Sequence, residues 1–163
     1  GADKLPRFQP HPQLETLRKK AIPWGRKELT APWTLPDAAE TAWEILLEIP
    51  AQQQTGGLLL QVGNCFALEL TLVSRTLHAY VKDTGEQTMQ DCGTLQLVPG
   101  APVRLQVFLD RCSAEIFADG KCLSVNVFDT APLRPVSLIP QGGTLPLQLL
   151  QVWHLQHVME PQT

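Results

Sequence analysis

The chain contains one tyrosine, two methionines and no apolar run near the ~20 residues that a membrane helix requires. Charged residues make up 18% and the formal net charge is −3. That balance leaves no electrostatic footprint for nucleic acid or an anionic membrane surface. No Cys-x-x-Cys pair occurs, which removes the zinc frameworks built on that spacing. There is no glycine-rich loop to cradle phosphate, no nucleophile elbow and no interleaving of basic and aromatic residues. The first residues, GADKLPRFQP, lack the apolar core of a secretory signal. No stretch of helical length carries a helical period, which disfavours α/β architectures.

What is present is an ordinary globular composition, 44% hydrophobic over 163 residues. That length suits one domain. It can bury roughly two-thirds of its unfolded surface without covalent staples. Residues 1–27 hold Pro6, Pro10, Pro12 and Pro23 and read as an irregular arm. One helical turn is expected around residues 12–20, with Pro12 as its first residue. From residue 28 onward the period is two.

In Trp43–Ile49 the odd positions are apolar while Glu44 and Glu48 point the other way, the pattern of a half-buried strand. Further strands are expected over residues 57–62, 65–73, 76–82, 94–98, 103–109, 112–118, 121–128, 136–139 and 145–158. Short strands punctuated by Gly, Pro, Asn and Asp predict an all-β fold, an antiparallel two-sheet β-sandwich of jelly-roll or concanavalin-like type. The sandwich is expected over residues 28–163.

Asp119-Gly120 reads as a two-residue hairpin turn. The register then sets Ala118 opposite Lys121, Phe117 opposite Cys122 and Ile116 opposite Leu123. Because side chains alternate between faces, Cys112 and Cys122 fall on opposite sides of the sheet and cannot be bridged. Cys65, Cys92, Cys112 and Cys122 are expected to be buried and reduced, which favours a cytoplasmic protein.

The same alternation gives one aliphatic sheet face and one polar-aromatic face. Arg104, Gln106, Phe108 and Asp110 share the latter with Glu115, Phe117, Cys122 and Ser124. Asp110 and Glu115 can be read as a carboxylate pair for glycoside hydrolysis. A turn role for Asp110, accepting backbone hydrogen bonds where the chain reverses, is preferred. Arg111, Glu115 and Phe117 complete a candidate surface for sugar or domain contact. His154 and His157 lie three apart on a strand pattern and face opposite ways, so no metal site is expected there. Trp43 and Trp153 are expected in the core, and Trp24 and Trp33 are candidates for docking or stacking.

Four stretches carry a family resemblance: Pro12-Gln13-Leu14-Glu15-Thr16-Leu17-Arg18, then Phe108-Leu109-Asp110-Arg111-Cys112-Ser113-Ala114-Glu115-Ile116-Phe117, then Asp119-Gly120, and Trp153-His154-Leu155. In this order they resemble the C-terminal domain of glycoside hydrolase family 32, the β-fructofuranosidases. The second stretch is similar to the family pattern Phe-Val-Asp-x-Ser-x-x-Glu-Val-Phe, with Cys112 standing where Ser is usual. The resemblance implies two packed antiparallel sheets attached to a β-propeller that holds the catalytic groups. The family's Asn-Asp-Pro, Arg-Asp-Pro and Glu-Cys motifs have no counterpart in this chain. The expectation is a non-catalytic module with no cofactor. Its implied partner is the N-terminal β-propeller catalytic domain of a bacterial, cytoplasmic parent enzyme acting on sucrose, sucrose 6-phosphate or fructans. Fructosyl sugar binding by the module itself is the alternative, and a homo-oligomer is left open.

Overall fold

A computed structural model describes residues 18–22, 28–36, 42–82, 90–110, 113–126 and 135–155. They form two six-stranded antiparallel sheets and a two-stranded ribbon. The first sheet runs β1 (Arg18–Ile22), β14 (Leu149–Leu155), β4 (Trp43–Ile49), β9 (Val103–Leu109), β10 (Ser113–Ala118), β11 (Lys121–Asn126). The second runs β3 (Trp33–Thr34), β12 (Val136–Gln141), β5 (Gly57–Val62), β6 (Phe66–Thr71), β7 (Thr76–Val81), β8 (Gln90–Gln96). The ribbon pairs β13 (Leu145–Pro146) with β2 (Glu28–Leu29). Among the described residues no helix is long and apolar enough to cross a membrane.

The period of two explains the layering. Leu58, Leu60, Leu68, Leu70 and Leu77 of the second sheet share one core with Ile45, Leu47, Leu105, Val107, Ile116 and Val152 of the first. Burying each such side chain contributes roughly 1.5–3 kcal/mol. Trp43 joins this core, 2% exposed, with His154 against it at a ring-centroid distance of 4.1 Å.

The β10–β11 hairpin has the register that its sequence dictates, Ala118 opposite Lys121 and Phe117 opposite Cys122. Asp119 and Gly120 sit at φ 52° and 71°. Both central residues at positive φ define the type I′ turn that matches strand twist. The Asp119 carboxylate accepts a hydrogen bond from the Val98 amide at 2.5 Å, tying the turn to the β8–β9 connection. Gly120→Val is expected to destabilise the domain by about 1–3 kcal/mol, the strain of a β-branched residue at positive φ. A urea midpoint equal to the parent chain's would contradict this turn geometry.

Four expectations are corrected. Residues 18–22 belong to a sheet and not to an irregular arm, because β1 pairs antiparallel with β14. The expected helical turn lies mostly outside the described residues, and its last part, from residue 18, is extended. The expected single strand over residues 145–158 is divided: β13 pairs in the ribbon, and β14 starts only after the Gln148 amide has bonded to the Glu48 carbonyl at 2.7 Å. Pro146, with no amide hydrogen to offer a ladder, lies at this break.

The third correction concerns β4, which is covered on both faces. Glu44 is 1% exposed and Leu46 6%. The fourth concerns the thiols. Cys65, Cys92 and Cys122 form no disulfide, but of these three only Cys65 is buried. The β7–β8 register steps from Ala79–Gly93 to Tyr80–Asp91, leaving Cys92 as the unpaired bulge residue of an edge strand. Its thiol donates to the Ala79 carbonyl at 3.1 Å. Desolvation and the charge of Asp91 push its pKa up. Cys112 lies outside the described residues.

Candidate functional site

The outward face of the first sheet is built in cross-strand rows. One row runs Trp153, Glu44, Phe108, Glu115, Ser124 across β14, β4, β9, β10 and β11. The next runs Gln151, Leu46, Gln106, Phe117, Cys122. Neighbours within a row are close enough for their side chains to interact directly.

At one side of this face Arg18 reaches over β14 to Glu44. Its Nε and Nη2 donate to the two carboxylate oxygens, each at 2.7 Å. The Gln106 amide adds a third donor to Glu44 at 2.8 Å. The Arg18 guanidinium also lies 3.7 Å from the centre of the Trp153 ring. A planar guanidinium suits both tasks, a two-pronged carboxylate contact and stacking on a ring. Further along β4, Glu48 takes hydrogen bonds from Arg104 at 3.2 Å and from Gln148 at 2.8 Å.

On the other side Phe108 and Phe117 meet edge to face, with centroids 6.0 Å apart and planes at 89°. With Ala42 and Leu155 they form a small apolar cluster outside the main core. Glu115 is exposed beside Phe108. Asp110 lies beyond the end of β9, where its amide donates to the Ser113 carbonyl at 2.9 Å and closes the connection to β10. The structure thus brings Glu115 and Phe117 onto one face with Phe108, and places Asp110 in the connection at the end of that hairpin. Arg111 lies outside the described residues.

Trp153 is half-exposed on this outward face, not in the core, because β14 reads Val152 and His154 inward. Trp33 is partly buried and packs against the main core from the edge strand β3. Trp24 and His157 lie outside the described residues. Among the described residues no cluster of His, Cys, Asp and Glu could hold a metal ion.

Sequence reasoning missed Arg18, Glu44 and Gln106. Glu44 sits at a position that alternation assigns to solvent. Arg18 is 26 residues from it, too far for any local pattern to join them. The one available signal was Arg18 closing the Pro12 to Arg18 stretch.

A family model described as the C-terminal domain of glycosyl hydrolases family 32 matches residues 13–154. No curated protein sequence matches the chain. Among solved structures, an exo-inulinase from Aspergillus awamori superposes with a TM-score of 0.68 at 14% identity, covering 92% of this chain and 32% of the inulinase. A sucrose-6-phosphate hydrolase from Lactobacillus gasseri gives a TM-score of 0.63 at 13% identity, covering 92% and 31%. A toad ovary galectin, solved with thio-digalactose, gives 0.51 at 14% identity, covering 76% of this chain and 99% of the galectin. At these identities the likeness is one of fold. The chain spans about a third of the length of the two hydrolases.

Proposed function

Because this chain belongs to the C-terminal domain family of the family 32 glycosyl hydrolases, we propose that it is the non-catalytic β-sandwich module of a β-fructofuranosidase. The parent would hydrolyse sucrose, sucrose 6-phosphate or fructans in a β-propeller domain. The module would bury one side of that propeller and stabilise it. The observation that carries this reading is the family match over residues 13–154, joined to a sequence without the family's three catalytic motifs. The unbridged thiols of Cys65, Cys92 and Cys122 favour a reducing compartment for the parent, and we assign it to a bacterial cytoplasm.

The outward face of the first sheet is our choice for the propeller contact. Two of its carboxylates are already neutralised in pairs, Glu44 with Arg18 and Glu48 with Arg104, and Glu115 stands exposed beside them. Its rings are packed on each other or on Arg18. A surface with paired charges and aromatic anchors loses little on desolvation and suits a protein partner. The sugar-binding alternative has less support on this face: Phe108 is buried, and its edge-to-face contact with Phe117 offers no open flat platform.

The purified chain is expected to release no fructose from sucrose, inulin or levan, since glycoside hydrolysis needs two carboxyl groups flanking the bond. Glu115→Arg changes an exposed position. It should leave the unfolding midpoint of the chain unchanged. In the full-length parent it should shorten the half-life of thermal inactivation severalfold. An unchanged half-life would reject the docking face. Saturable binding of a fructo-oligosaccharide that disappears in Glu115→Arg would make this face a sugar site instead.

A further inference from the structure

We infer that the opposite surface of the sandwich, the outward face of the second sheet around Tyr80, binds a neutral carbohydrate. It goes beyond the docking role proposed above and uses none of its residues.

Two cross-strand rows define the patch. Glu69, His78 and Thr94 lie side by side on β6, β7 and β8. Gln61, Ala67, Tyr80 and Asp91 form the next row across β5 to β8. The His78 and Tyr80 rings have centroids 6.0 Å apart and planes within 25° of parallel. His78 Nδ1 is fixed by the Thr94 hydroxyl at 2.9 Å and faces the Asp91 carboxylate at 3.6 Å. Asp91 is itself anchored, accepting from the Gly93 amide at 3.0 Å. The platform is therefore held in place before any ligand arrives, which lowers the cost of ordering it.

Around these fixed groups stand solvent-accessible polar atoms with no protein partner among the described residues. Among the described residues the Glu69 carboxylate, the Tyr80 hydroxyl and the Gln61 amide have no hydrogen-bond or ion-pair partner. Glu69, Tyr80 and Gln61 are all half-buried residues of the sheet surface. Partial desolvation, then the nearby charges of Glu69 and Asp91, raise the pKa of the Tyr80 hydroxyl. A tyrosine hydroxyl is protonated at neutral pH in any case and can donate.

The choice of ligand follows from this inventory. The outward positions within β5, β6, β7 and β8 include no Lys or Arg, and Lys82, just past the end of β7, is outnumbered by Glu69 and Asp91, so the balance of charge disfavours a phosphate or carboxylate. A cation would use Glu69 and Asp91 but leave the amide and hydroxyl donors idle. A sugar hydroxyl is both donor and acceptor and can use all of them. Hydroxyls donating to a carboxylate make the stronger, charge-assisted bonds. The carbon-bound face of a sugar ring can lie against the Tyr80 or His78 ring, as amphipathic rings favour an apolar contact beside a polar one. The contrast with the first sheet is direct. There Glu44 and Glu48 are each paired with an arginine, and here Glu69 has no such partner among the described residues.

The test is a titration of the chain with sucrose, 1-kestose and lactose, with spermidine as the cationic probe, followed by calorimetry or amide chemical shifts. Saturable binding of at least one sugar is expected, with shifts centred on β6, β7 and β8. Glu69→Gln, close in shape, and Tyr80→Ala should each weaken it about tenfold, the size of one lost hydrogen bond to a charged group. Glu115→Ala, on the docking face, should leave it unchanged, which separates failure of this site from failure of the docking reading. Unfolding midpoints check that each variant is folded. Absence of binding by all three sugars would overturn the assignment. So would binding that survives both Glu69→Gln and Tyr80→Ala, or binding of spermidine tighter than any sugar.

Discussion

Gly57→Ala is expected to lower the stability of this domain by about 3 kcal/mol, through overpacking that the backbone cannot relieve. For a chain of this size that corresponds to a fall in melting temperature of roughly 6–12 °C. Gly57 opens β5, between β6 and β12, opposite Thr71 and Gln141. A Cβ there would stand 2.0 Å from the carbonyl oxygen of Leu70 and 3.1 Å from its carbon. These are backbone atoms of the neighbouring strand, so no rotamer change can make room. The two strands must part, and parting them costs ladder hydrogen bonds worth about 1 kcal/mol each. Gly93→Ala is the control. The atoms nearest to its added Cβ belong to the Leu123 side chain, Cδ1 at 2.6 Å, and that chain can rotate away. A smaller loss at Gly93 than at Gly57 is therefore expected in thermal denaturation. Equal melting temperatures for Gly57→Ala and the parent chain would show that β5 and β6 do not approach as closely as described.

Glu44→Ala should cost about 3 kcal/mol, the low end for breaking a buried pair from one side. The low end applies because the partners are unequally buried, with side-chain exposures of 1% for Glu44 and 24% for Arg18. Removing the carboxylate takes the paired acceptor from Arg18 and the hydrogen bond from Gln106 together. Glu44→Gln keeps the shape and one acceptor and should lose less. The informative variant is the double one, Arg18→Met with Glu44→Leu. Two apolar side chains leave no uncompensated charge, so most of the lost stability should return. A double variant no more stable than Glu44→Ala would mean that packing of Arg18 on Trp153 matters more than its charge.

Much of the sandwich can be read from the chain because a strand's alternation is a local property. β4, β5 and β9 have the bounds that the pattern of two assigns to them. The β10–β11 register follows from two residues, Asp119 and Gly120, whose positive φ angles only a few residue types tolerate. The candidate site was legible to the same depth: alternation alone puts Phe108, Glu115 and Phe117 on one face. Beyond that depth the reading failed in a consistent way. Alternation states which side chains share a face, and it is silent on what covers that face. Glu44 and Leu46 follow the solvent-facing pattern and are buried. The β1 strand was hidden too, since five residues at a sheet edge need no strong pattern of their own when β14 supplies the ladder.

By itself, then, the sequence determined the all-β class, the hairpin register, the aliphatic core positions and, through its motifs, the family. Each of these rests on neighbours along the chain or on a few residues with sharp backbone preferences. The tertiary structure alone decided that Arg18 locks onto Glu44 from 26 residues away. It alone decided that a bulge leaves Cys92 unpaired in the sheet edge, and that Glu69, His78 and Tyr80 line up across strands with Asp91 and Thr94. These are contacts between strands, set by register and by which edge meets which, and a one-residue slip would exchange the two faces entirely.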